Sequence, residues 1–88
     1  MAGYFVYLLI SEKDGDYYIG QTGDICQRLK AHNDGEVIST KHRRPLRLVG
    51  YKEFSSRNEA RHFEHEIKHH SDKKRRFISE LHRPSFRA

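Results

Sequence analysis

Tyr4-Phe5-Val6-Tyr7-Leu8-Leu9-Ile10, then Glu12-Lys13-Asp14-Gly15-Asp16, then Tyr17-Tyr18-Ile19-Gly20-Gln21 are the three stretches that decide the fold. The outer two are dense in β-branched and aromatic residues, which suit a pleated, half-buried surface. Between them Asp14-Gly15 marks a tight reversal, because glycine reaches the positive φ that such a turn needs. The pair is predicted to be an antiparallel hairpin.

Working outward, Gly20 and Gly23 end the second strand, and Asp24 is placed to cap a helix running to about Asn33. On that helix Ile25, Leu29 and His32 fall along one stripe. Residues 34–45 hold Gly35, Pro45 and several basic residues with little periodicity, and are expected to be a loop. Leu46 to Phe54 reads as a third strand interrupted near Gly50. Ser56 and Glu59 have the spacing of a capping box, so a second helix is predicted from there to about His70. Ser71 is expected to cap a last helix through Leu81. The order strand, strand, helix, strand, helix, helix implies an α+β domain with a small antiparallel sheet. One domain is expected over residues 1–83, with 84–88 a short tail.

Eighty-eight residues leave room for one core. The single cysteine, Cys26, excludes an internal disulfide, which suits a reducing, cytoplasmic setting. The apolar run Phe5–Ile10 is too short to span a bilayer, so no membrane partner is expected. Charge is unevenly spread. Residues 1–40 hold three Lys/Arg against six Asp/Glu, and residues 41–88 hold fourteen against six. A basic half of this kind favours a polyanion as partner, with nucleic acid the first candidate.

Three groups of residues have the makings of a site. On the second long helix Ala60, Phe63 and Ile67 form the apolar stripe, and Glu64 falls on the same face. A carboxylate there calls for a bonded partner, a metal ion or an outlet to solvent. On the first helix Arg28 and His32 stand one turn apart and can address one spot, as a fixed cation and an imidazole beside a phosphodiester would. Tyr7 and Tyr18 sit on the paired strands within Val6-Tyr7-Leu8 and Tyr18-Ile19-Gly20, where packing is the ordinary role of a tyrosine.

Taken together these residues resemble the GIY-YIG nucleases. Ten residues separate Tyr7 from Tyr18, as between the family's two signature triplets, and Gln21 to Leu29 resembles its turn and helix with an arginine, Arg28. His32 follows four residues later, and Glu59-Ala60-Arg61-His62-Phe63-Glu64 resembles the segment whose last glutamate binds metal. The likeness covers residues 4 to 81 and is nearest to small stand-alone bacterial members. It departs from the family at Val6 and Leu8, and at Phe77, Ile78 and Ser79, where some members place an asparagine near the site. Lys41 or His42 stands where phage homing relatives have a second loop histidine.

The resemblance implies a three-stranded antiparallel sheet flanked by helices and a DNA endonuclease using one divalent ion, magnesium or manganese, held by Glu64. It implies that Tyr7 or Tyr18 prepares the attacking water, that Arg28 stabilises the scissile phosphate, and that His32 assists proton transfer. Which tyrosine acts as base stays open, as do the substrate form and whether the protein is a monomer or homodimer. No small-molecule cofactor is implied. Lys41, Arg43, Arg44, Arg47, Lys73, Lys74, Arg75 and Arg76 are expected to contact phosphates, giving affinity without sequence choice. The alternative is a nucleic-acid-binding module that retains the fold without the chemistry. His65-Glu66-Ile67-Lys68-His69 matches a zinc-peptidase pattern, but its histidines are expected on the helix face opposite Ala60, Phe63 and Ile67, in solvent.

Overall fold

The hairpin closes around one serine. In the computed structural model, which describes residues 3–82, strand β1 (Tyr4–Ser11) runs into a turn and returns as β2 (Tyr17–Thr22). The buried Ser11 hydroxyl accepts the Lys13 and Asp14 N–H groups at 3.1 Å each, and Gly15 takes φ 77° at the bend. Ser11 also donates to the Arg43 carbonyl at 2.6 Å, tying the turn to a distant segment.

Helix α1 (Ile25–Asn33) begins where expected, with Asp24 Oδ1 accepting the Gln27 N–H at 3.0 Å. Strand β3 (Leu46–Phe54), helix α2 (Arg57–His69) and helix α3 (Ser71–Leu81) complete the chain. The sheet is antiparallel throughout, in the order β2-β1-β3. Leu8 pairs with Gly50 and Leu9 with Leu48, so Val49 is an extra residue on β3 and produces the interruption expected near Gly50. Gly50 also lets α3 approach, since a β-carbon there would meet Leu81 Cδ2 at 3.1 Å.

Two expectations need correction. Residues 34–45 are not all loop, for Ile38–Arg43 forms a 3-10 helix. Buried Thr40 anchors that turn, a role that residue periodicity does not register over so short a segment. Ser71 is not the cap of α3 but its first residue; His70 takes the cap position, without a side-chain bond. The capping box of α2 forms with a shift: Ser56 Oγ accepts the Glu59 N–H at 3.2 Å, while Glu59 reaches back to Ser55.

Strand alternation gives the sheet two different faces. Val6, Leu8 and Ile19 pack with Ala60, Ile67 and Phe77 of α2 and α3 into one core. Tyr7, Leu9 and Leu46 form the other layer, with Tyr18, Leu29 and Leu48 against them. Leu8, Leu9 and Ile67 are fully buried, each worth about 1.5–3 kcal/mol. The expected tail, 84–88, lies outside the described residues.

Candidate active site

The second layer contains a buried polar chain. Tyr7 rises from the central strand, and Arg28 and His32 come down from α1 one turn apart. The Tyr7 hydroxyl lies 2.9 Å from His32 Nε2 and accepts the Arg28 Nε–H at 3.3 Å. His32 Nδ1 in turn lies 2.7 Å from the Thr40 hydroxyl, which approaches the Val37 carbonyl at 3.5 Å. His32 and Thr40 are fully buried and Tyr7 nearly so. Gly20, opposite Tyr7 on β2, makes this possible: a β-carbon there would stand 2.6 Å from Tyr7 Cζ.

Burial and charge set the protonation of this chain. Loss of water pushes the Tyr7 phenol above its ordinary value, against the pull of Arg28, and the nearby Tyr18 and Glu64 push it further up. His32 is pushed down to about 4, first by burial and then by Arg28. At neutral pH the chain therefore holds a neutral phenol between a fixed cation and a neutral imidazole. The bond to Tyr7 raises Arg28 in its turn.

Tyr18 sits beside this chain, not within it. Its ring lies 6.4 Å from that of Tyr7 and 5.1 Å from that of His32, and its hydroxyl accepts from Ser39 Oγ at 3.4 Å. Glu64, on α2, is near enough to act on Tyr7 electrostatically but makes no hydrogen bond to it; its Oε2 pairs with Lys68 Nζ at 2.6 Å. Of the five expected residues, three are directly bonded, one is in ring contact and one stands apart. Thr40 is the member that sequence reading missed. One threonine in a polar stretch has no periodicity or motif to mark it.

A metal ion would find one carboxylate here. Among the described residues no group of three His, Cys, Asp or Glu converges. Glu64, with a side chain 19% exposed, fits a hard, hydrated cation that keeps most of its own waters, as magnesium does. His65 and His69 are exposed on α2, as expected, with rings 4.0 Å apart. His69 Nδ1 is turned to the His65 carbonyl at 2.9 Å.

The basic residues divide by what they touch. Arg43 pairs with Asp14 at 2.8 Å and Arg47 with Glu12 at 3.1 Å, both across the hairpin turn. Lys73 pairs with Glu66 and Arg75 with Asp72. Lys41 and Arg44 have no carboxylate partner among the described residues and share a hollow with Lys13, His42 and Asn33. Lys74 and Arg76 are exposed on α3.

A family model described as the GIY-YIG catalytic domain matches residues 3–76. The chain belongs to the GIY-YIG family. UPF0213 protein BH0048 of Halalkalibacterium halodurans is 39% identical to this GIY-YIG chain over 79 residues, covering 89% of it and 83% of the relative. UPF0213 protein SSP2268 of Staphylococcus saprophyticus is 40% identical over 82 residues, covering 91% and 99%. UPF0213 protein YazA of Bacillus subtilis is 37% identical over 80 residues, covering 90% and 81%. The solution NMR structure of UPF0213 protein BH0048 from Bacillus halodurans superposes with a TM-score of 0.54, over 90% of this chain and 84% of that one. A GIY-YIG domain places the protein in a nuclease family, and the three-stranded antiparallel sheet flanked by helices is as expected. Among the described residues no helix is long and apolar enough to cross a membrane.

Proposed function

We propose that the protein is an endonuclease that hydrolyses phosphodiester bonds in DNA with the help of a magnesium or manganese ion. The observation that carries this is the Tyr7 hydroxyl, bonded on one side to Arg28 and on the other to His32 in a buried layer. A buried phenol needs one donor and one acceptor, and here the donor is a guanidinium with further N–H groups to spare. Tyr7 is favoured over Tyr18 as the group that takes the water proton, because only Tyr7 makes both contacts.

A free phenol is a weak base at neutral pH. A neutral His32 supplies a relay, since Tyr7 can pass its own proton to Nε2 while it accepts one from water. Burial and Arg28 hold the imidazole at about 4, and a phosphate paired with Arg28 offsets the second of these. The water oxygen then bonds to phosphorus and the bond from phosphorus to the leaving sugar oxygen breaks. That oxygen takes a proton from solvent, and the imidazolium later returns its proton by way of Tyr7. Arg28 spends one N–H on Tyr7, and its remaining donors are available for phosphate oxygens, where charge grows in the transition state. Glu64 would hold the cation, which when bound neutralises charge on the phosphate.

Lys41 and Arg44, with Lys74 and Arg76, are proposed to contact flanking phosphates. Lys73 and Arg75 join them, because exposed ion pairs of the kind they form are weak. Arg47, whose pair with Glu12 is likewise exposed, joins them too, whereas Arg43, more buried and held to the hairpin, is proposed to contribute less.

The test is cleavage of labelled single-stranded, duplex and branched DNA with magnesium, manganese or chelator, beside Arg28→Ala and Glu64→Gln. Metal-dependent cutting that falls at least about 10²-fold in both variants is expected. No cutting of any substrate, with binding unchanged in the variants, would leave a nucleic-acid-binding module that keeps the fold.

A further inference from the structure

We infer that Thr40 is a positioning residue, whose hydroxyl holds His32 in the Nδ1–H tautomer and so keeps Nε2 open to the Tyr7 proton. The consequence for catalysis rests on the nuclease reading above; the tautomer itself does not.

The polarity of the buried chain follows from its one member that cannot accept. A guanidinium has only donors, so the contact between Arg28 Nε and the Tyr7 oxygen has one direction. With that oxygen already receiving a hydrogen, the Tyr7 hydroxyl hydrogen is best satisfied on an acceptor, and His32 Nε2 is the one 2.9 Å away. Nε2 therefore carries a lone pair, and in a neutral imidazole the hydrogen is on Nδ1. Thr40 Oγ1 lies 2.7 Å from Nδ1 and accepts it, with its own hydrogen turned toward the Val37 carbonyl at 3.5 Å. Every hydrogen then points one way, from Arg28 through Tyr7 and His32 to Thr40.

Thr40 suits this task because it is fixed. It is fully buried, its backbone N–H donates to the Val37 carbonyl at 3.1 Å, and it belongs to the Ile38–Arg43 3-10 helix. That helix is tied to the hairpin by the bond from Ser11 to the Arg43 carbonyl. A valine at position 40 keeps the shape but offers Nδ1–H nothing, and a buried unpartnered donor is costly. The ring then does better with its hydrogen on Nε2, donating to the Tyr7 oxygen. In that state Tyr7 receives two donors, its own hydrogen turns away, and His32 cannot take it. Holding a catalytic histidine in the wrong tautomer is known to be expensive.

The experiment is nitrogen-15 NMR of the full chain labelled at histidine, at pH 7.5, with the His32 signals assigned by their loss in His32→Gln. Wild type is expected in the Nδ1–H form, Thr40→Val with a large share of Nε2–H, and Thr40→Ser as wild type. Single-turnover cleavage should fall about 10²-fold in Thr40→Val with little change in KM, and recover to within about threefold in Thr40→Ser. A wild-type His32 carrying its hydrogen on Nε2 would overturn the inference, and this needs no variant to fold. So would a Thr40→Val protein that keeps both the Nδ1–H form and the wild-type rate. If wild type cuts no DNA, the nuclease reading fails while the tautomer result still decides the role of Thr40.

Discussion

Tyr7 and Gly20 face one another across the β1–β2 ladder, and the phenol of Tyr7 fills the space that a side chain at position 20 would need. Glycine is required there by the approach of a neighbour, not by backbone conformation, since its φ is not positive. Gly20→Ala is therefore expected to push the Tyr7 ring aside. Overpacking should cost about 1–3 kcal/mol in urea unfolding. Cleavage should fall about 10²-fold through loss of alignment with Arg28 and His32. A variant with wild-type stability and rate would mean that Tyr7 has room to spare.

His32 ties stability to pH. Its folded value, about 4, is below the ordinary 6.5, so the unfolded chain binds more protons between these limits. Stability is therefore full above pH 6.5 and declines as pH falls through that window. For this fully buried ring the loss amounts to about 2 kcal/mol by pH 5. Asp14, held down to about 2 by Arg43, contributes only below its ordinary 3.8, and Glu66, held down by Lys73, only below its ordinary 4.5, so the interval from 6.5 to 5 is left to His32. Urea midpoints at pH 7.5 and 5.0 measure the effect, and His32→Gln should flatten it.

Lys68 stands where a cation would bind. Its ammonium is 2.6 Å from Glu64 Oε2, and a metal ion at that carboxylate must displace it. Lys68→Met is expected to tighten manganese binding, read by electron paramagnetic resonance of the free ion. The pair is partly exposed, at 44% and 19% for the two side chains, so the gain should be modest, about threefold to tenfold. Unchanged affinity would show that the lysine swings clear at no cost.

Salt dependence should separate the arginines and lysines. The double variant Lys41→Gln and Arg44→Gln is expected to lower the slope of log affinity against log salt by about 1.4 to 1.8, as two lost phosphate contacts would. Arg43→Gln should leave that slope nearly unchanged and lower stability instead, because Arg43 holds Asp14 at 2.8 Å. Equal slopes for the two proteins would place the phosphate path elsewhere.

Much of this molecule could be read from its sequence. The hairpin, the caps at Asp24 and Ser56 and the break near Gly50 all rest on local rules, and each appears in the structure. That Arg28 and His32 address one spot was legible from helical spacing, whereas Tyr7 was joined to them only by the family resemblance. Thr40 was not, because a short 3-10 turn is held by tertiary contacts and has no repeat of its own. The pairing of Arg43 with Asp14 and Arg47 with Glu12 was hidden for a similar reason. It depends on how the 3-10 helix and β3 dock beside the hairpin, 29 and 35 residues away in the chain. Charge could be counted in advance, but not its availability.

β1 is the central strand, bonded on both sides, and it carries Tyr7 between Val6 and Leu8 of the opposite core. Tyr7 thus belongs to the part of such a fold that opens last in hydrogen exchange. No fraying of a terminus or breathing of a loop releases it. Heat should therefore silence Tyr7 only when the whole sheet melts, so inactivation and unfolding should trace one curve. A polar side chain at Val6 or Leu8 would unseat Tyr7 by unfolding the protein, without altering Tyr7 itself.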